Sequence, residues 1–201
     1  MRRSRRRLLG AAALALIAGC DKVAVSGAKL QFQSTDITGA DFGRSLALPD
    51  QNGKLRTLDD FKGKVTVLFF GYTQCPDVCP TTMAELAEVK KSLGPDGDRL
   101  QGVFVTIDPE RDTPEVLKGY MANFDPSFIA LRGNLEQTAA AAKEFKVFYA
   151  KVPGKTPGSY TMDHTAASYV LDRNAKLRLF VRYGSGAPAL AADLKALLTA
   201  A

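Results

Sequence analysis

Two cysteines separated by three residues stand between a strand and a helix, and this junction limits what the chain can fold into more than any other stretch. Lys64 to Phe70 (KVTVLFF) is an unbroken β-branched and aromatic run of the kind buried on both faces of a sheet. Pro80 to Leu93 places Met83, Leu86, Ala87 and Leu93 at helical spacing and stops at Gly94-Pro95. Between them runs Gly71-Tyr72-Thr73-Gln74-Cys75-Pro76-Asp77-Val78-Cys79-Pro80. A second apolar run follows, Gly102 to Ile107 (GVFVTI), so the segment reads as a β-α-β unit with parallel strands. Both cysteines then sit at the carboxyl end of a strand, where open α/β sheets form their sites.

The remaining elements extend this unit. Ser45 to Leu48 and Leu55 to Leu58 flank the turn signal Asp50-Gln51-Asn52-Gly53-Lys54 and predict an N-terminal hairpin. Thr113-Pro114-Glu115 carries the cap, first-turn proline and acid of a helix over 114–122. Phe128 to Leu131 is a short strand, and Leu135 to Phe145 an alanine-rich helix. The Pro/Gly-rich segment 153–158 (PGKTPG) is expected to be a loop without regular packing. Ala167 to Leu171 and Leu177 to Arg182 form a hairpin across Asp172-Arg173-Asn174-Ala175, and Pro188 to Leu198 is the last helix. The expected fold is α/β and thioredoxin-like: a central mixed sheet flanked by helices, with the hairpin at its N-terminal end.

Pro80 disfavours helical geometry at Cys79 and suits the first helical position itself, so Cys79 is expected near the N-cap and Cys75 in the preceding loop. A thiol there gains from exposed N–H groups and the helix dipole, which lower its pKa and make it a nucleophile or a metal ligand. A plain disulfide is the alternative, but closing three intervening residues constrains the unfolded chain little. The chain has one histidine, His164, which excludes every centre needing two or more. A lone histidine is more often a satisfied surface residue than a ligand. If strands 64–70 and 167–171 are neighbours, however, His164 lies near both cysteines. Two thiolates and one imidazole form a soft three-ligand set; structural zinc prefers four protein ligands, whereas this set suits copper.

The formal charge of +6 invites a nucleic-acid reading, but its position argues against one. Five arginines fall in the first seven residues, ahead of the apolar run Leu8 to Ala18, which is shorter than the ~20 residues a bilayer-spanning helix needs. That is the pattern of an export signal, and Ser4-Arg5-Arg6-Arg7-Leu8-Leu9 leaves both the general and the twin-arginine routes open. Beyond residue 19 the chain holds 22 basic and 21 acidic side chains, a balance of +1. The signal ends Ile17-Ala18-Gly19-Cys20, which resembles a bacterial lipobox, with Cys20 as the lipidated residue and Asp21 resembling an inner-membrane retention signal. The expected organisation is a signal peptide over 1–19, a tether over 20–35 and one folded domain over 36–201, held at the periplasmic face of the inner membrane by lipid.

The strings DQNGK, TLDDFKGK, FFGYTQCPDVCPTTMAEL, VTIDPERDTPEVLKGY and DHTAASYVLD resemble the Sco/SenC family of copper-binding, thioredoxin-fold proteins, from about Gly39 to the end. The resemblance implies copper ligation by Cys75, Cys79 and His164. It also implies a role in assembling the binuclear copper centre of cytochrome c oxidase subunit II, with a periplasmic copper donor or thiol reductant as a further partner. Asp108 and Asp163 match acidic positions of the family pattern and are candidates for a shell outside the ligands. Some relatives are assigned reduction of the target's cysteines, so a thiol-disulfide oxidoreductase using Cys75 and Cys79 is the alternative. CxxxC rather than CxxC, and no tryptophan before it, weigh against a general oxidoreductase. A peroxidase, suggested by Val78-Cys79-Pro80-Thr81, lacks the threonine expected three residues before its cysteine.

Overall fold

The structure is a computed structural model and describes residues 30–200. The export signal and Cys20 lie outside the described residues. Ten strands and four helices follow in chain order among those residues: β1 (Thr35–Asp36), β2 (Ala47–Pro49), β3 (Leu55–Thr57), β4 (Val65–Gly71), α1 (Val78–Ser92), β5 (Leu100–Thr106), α2 (Pro114–Met121), β6 (Ile129–Leu131), α3 (Leu135–Glu144), β7 (Tyr149–Pro153), β8 (Tyr160–His164), β9 (Ala167–Leu171), β10 (Leu177–Arg182) and α4 (Ala187–Thr199). Six strands form the central sheet in the order β1-β10-β9-β4-β5-β6. β4 runs parallel to β5 and antiparallel to β9, so the sheet is mixed and of thioredoxin type.

All seven residues of β4 and of β5 are buried, which is why their sequences show no polar alternation. Burial of a large apolar side chain contributes roughly 1.5–3 kcal/mol, and the Phe69, Phe70, Phe104, Phe145 and Tyr169 rings concentrate that contribution around the middle of the sheet. α1 covers one face with Cys79, Met83, Leu86 and Val89, a stripe at helical spacing. Caps fix the next two helices: the Thr113 hydroxyl accepts from the Val116 N–H at 3.3 Å, and Asn134 and Gln137 form a reciprocal capping box. The N-terminal hairpin β2–β3 forms a separate two-stranded sheet, its turn closed by Gly53 at a φ of 81°.

Two edge contacts have no counterpart in the sequence patterns. β1, two residues long, pairs antiparallel with β10, and the Asp193 carboxylate in α4 accepts the N–H groups of Gln33 and Ser34 at 2.7 and 2.9 Å. At the opposite edge Gln51 donates to the Ala130 carbonyl at 2.9 Å, and Arg132 to the Pro49 carbonyl at 2.9 Å.

The segment expected to be an irregular loop differs. Residues 154–159 are the tip of a regular hairpin in which β7 pairs with β8 from Tyr149↔His164 to Pro153↔Tyr160. Its strands bury one large apolar side chain, Met162, so they lack the alternation by which a half-buried strand is recognised. His164 is the last residue of β8.

Candidate metal centre

The end of β4 and the start of α1 carry the two thiols. Asp77 is the N-cap, so Cys79 is the second residue of the helix and Pro80 the third, each two positions further in than the proline argument predicts. Pro80 fits because the first four N–H groups of a helix have no intrahelical partner to lose. Cys75 lies in the loop, half-buried, its N–H donating to the Tyr72 carbonyl at 3.3 Å. The Cys79 N–H points at the Cys75 sulfur, 3.4 Å away. Both thiols are free. Gly71 makes room for the buried one: a Cβ there would lie 2.8 Å from Cys79 Sγ and 2.9 Å from the Phe104 ring.

Because β9 is the antiparallel neighbour of β4, the approach to β9 comes back over the end of β4 and brings His164 to the cysteines, as the adjacency expectation requires. One ligand atom from each of Cys75, Cys79 and His164 lies within 4.8 Å of the others, with His164 Nε2 at 3.5 Å from Cys79 Sγ. His164 Nδ1 lies 3.1 Å from the Thr165 carbonyl. A carbonyl can only accept, so Nδ1 carries the proton and Nε2 turns its lone pair to the sulfurs, the tautomer a metal ligand needs. Phe69 and Tyr72 pack edge-on against the ring at 5.9 and 6.0 Å.

Burial favours the neutral forms of His164 and Cys79. Burial pushes the His164 pKa down, with the Thr165 carbonyl and the Asp163 charge working against it. Burial pushes the Cys79 thiol up, against the expectation that the helix terminus lowers it; in a water-poor site the desolvation of a thiolate outweighs the dipole. Cys75, Cys79 and His164 could hold a soft cation, which would supply positive charge and favour the thiolate forms of the cysteines.

The acidic candidates are placed differently. Asp163 is exposed on β8, one residue before the histidine. Asp108 is buried, accepts the Tyr160 hydroxyl at 2.9 Å, and pairs with Arg111. Sequence reasoning passed over Asp112, four residues on in the same IDPERDTP string. It is fully buried, accepts the N–H and hydroxyl of Thr73 at 3.1 and 2.6 Å, and takes the Thr106 hydroxyl at 2.5 Å. Burial pushes its pKa up although these bonds oppose the shift. It anchors the loop that carries Cys75. Arg111 and Tyr160 were also missed; no spacing rule marks them, because they meet only when β8 folds over the segment after β5.

The arrangement can hold a soft ion or exchange a disulfide, and comparison with known proteins narrows the choice. Residues 34–199 match the SCO1/SenC family model. The chain is 42% identical over 135 residues to an SCO2-like protein of Rickettsia felis, covering 67% of this chain and 66% of that protein. It is 36% identical over 143 residues to the mitochondrial SCO2 homologue of Bos taurus, covering 70% and 53%. The match thus spans just under two thirds of the Rickettsia protein's length and about half of the cattle one. Among solved structures it is similar to copper-bound ScoI of Bradyrhizobium japonicum, with 43% identity, a TM-score of 0.71, and coverage of 78% of this chain and 99% of that one. It is also similar to apo Sco1 of Thermus thermophilus, with 40% identity, a TM-score of 0.74, and coverage of 85% and 99%. Fold, thiol pair, facing imidazole and family match agree: the chain belongs to the SCO1/SenC family of copper-binding proteins.

Proposed function

We propose that the chain is a copper metallochaperone that binds one copper ion through Cys75, Cys79 and His164 and serves assembly of the binuclear copper centre of cytochrome c oxidase subunit II. The observation that carries this is the meeting of two sulfurs and an imidazole lone pair within 4.8 Å at one end of the sheet. Two thiolates suffice for copper(I), whereas copper(II) gains more from added nitrogen ligation. The copper-bound Bradyrhizobium relative supports copper as the cargo. Titration of the reduced protein with each oxidation state tests it. Stoichiometric binding is expected, lost with Cys75→Ser or Cys79→Ser, and weakened mainly for copper(II) with His164→Ala. A copper(II) spectrum unchanged by His164→Ala removes the histidine from the site.

The second reading, reduction of the target's cysteines, is favoured by the asymmetry of the pair: Cys75 is half-exposed and Cys79 fully buried, as a nucleophile and a resolving thiol are arranged. Turnover of a disulfide-bonded target with no metal present favours it. Export, lipidation at Cys20, a tether from Cys20 to the folded domain and the periplasmic membrane location belong to the same proposal; the tether is shorter than the expected 20–35, because Gln33 and Ser34 are held by Asp193 and Thr35 pairs in the sheet. No helix among the described residues is long and apolar enough to cross a membrane. Loss of membrane partition on Cys20→Ser is the expected result.

A further inference from the structure

The β7–β8 hairpin that presents His164 forms no ladder with the central sheet and has only Met162 as a large buried apolar side chain. Its hold on the body therefore comes from side chains, and three of these contacts end on the short segment between β5 and α2. Lys151 of β7 pairs with Glu110. The Tyr160 hydroxyl of β8 donates to Asp108 at 2.9 Å. Arg111 lays its guanidinium over the Tyr160 ring at 3.6 Å and donates to the Tyr160 carbonyl at 2.9 Å. The same segment grips the cysteine loop from its other side: Asp112 holds Thr73, and Arg111 donates to the Gln74 side chain at 3.1 Å. Arg111 is thus bonded both to the loop of Cys75 and to the hairpin of His164. The pair it makes with buried Asp108 fixes the plane of its guanidinium.

We infer that Arg111 is a positioning residue of the metal centre, a latch that sets the distance between the thiol pair and His164 without touching either. Because the hairpin lacks a core of its own, releasing the latch lets His164 leave while the two cysteines, fixed by α1 and by Asp112, stay in place. The inference deepens the copper reading and rests on it for its functional meaning, although the latch itself is a property of the metal-free protein.

The test uses the chain's single histidine as a probe. In the reduced, metal-free protein, Arg111→Met is expected to move the His164 ring resonances toward those of a solvent-exposed imidazole. In the copper(II) complex it is expected to speed release to a chelator by about tenfold to a hundredfold, the usual effect of losing a group that orients a ligand. Copper(I), held by the thiolates, is expected to leave at the wild-type rate. Arg111→Lys is expected not to restore either signal, because an ammonium cannot stack on the ring and fork to two acceptors together. Unchanged ring resonances and release in folded Arg111→Met, or full rescue by lysine, overturn the latch. Should Arg111→Met not fold, Tyr160→Leu removes the stack and the Asp108 bond from the hairpin side and carries the same two expectations and the same refutation. A wild-type protein that binds no copper sinks the copper reading and leaves the resonance measurement to decide the latch.

Discussion

Adding one methyl group at Gly71 tests whether the thiol pair is held by packing. The Cβ of alanine there would lie 2.8 Å from Cys79 Sγ, 2.8 Å from the Phe69 ring and 2.9 Å from the Phe104 ring. Unstrained contact needs about 3.5–4.0 Å, so some neighbour has to give by roughly 0.7 Å or more. Both rings are buried and pack against each other, with centroids 6.3 Å apart. Cys79 is fastened through Met83, Leu86 and Val89 of its helix. Overpacking of this kind costs about 1–3 kcal/mol, and a chain of this size loses about 2–4 °C of melting temperature per kcal/mol. Gly71→Ala is therefore expected to melt about 2–12 °C lower. With ligands tolerating only about 0.5 Å of misplacement, copper(I) affinity in a chelator competition is expected to fall about tenfold or more. Gly119→Ala is the matched control: it lies within α2, nothing stands within 4 Å of its added Cβ, and the change is expected to raise stability by up to about 1 kcal/mol with copper affinity unchanged. Gly71→Ala with wild-type melting and wild-type affinity refutes the close-packed account of the site.

Two further outcomes follow from the buried groups. Since burial lowers the His164 pKa below its ordinary 6.5, the unfolded chain takes up a proton that the folded imidazole refuses. The histidine's contribution to metal-free stability is thus present above pH 6.5 and lost as pH falls from there through the folded value; urea midpoints of wild type and His164→Gln are expected to converge on acidification, and curves that stay parallel contradict the burial argument. Asp193→Ala leaves the N–H groups of Gln33 and Ser34 without their acceptor, at a cost of about 1–3 kcal/mol, and limited proteolysis is expected to reach residues 30–37 first; an unchanged cleavage pattern says that the carboxylate does not hold the segment.

The central elements were legible because their signals are local and strong: KVTVLFF and GVFVTI are too apolar for an exposed strand, and Thr113-Pro114 and Gly94-Pro95 punctuate the helices between them. The meeting of Cys75 and Cys79 with His164 followed from one topological step, the adjacency of β4 and β9. What stayed hidden depends on long-range contact. β7 and β8 are held by each other's backbone and by charged or aromatic side chains, so their composition imitates a loop. The direction of the Cys79 pKa shift was missed because a helix terminus is visible in a sequence, whereas the burial that desolvates the thiol arises only in the folded chain.

The two edge contacts of the central sheet bear on how the molecule meets others of its kind. A strand with bare N–H and C=O groups is a template for a second chain, and LRLFVR of β10 would be such a template if β1 were absent. At the other side the turn of the N-terminal hairpin occupies β6 in the same way, through Gln51 and Pro49. Both rims are thus closed by residues that precede the metal-site strand in the chain. Removing the residues before about 38 would uncover the β10 rim, and the shortened protein would be prone to stack edge to edge while its copper site stayed whole. Among the described residues, the rims of the central sheet thus offer a second chain only the two-residue β1 and the turn of the N-terminal hairpin, a short footing for strand addition.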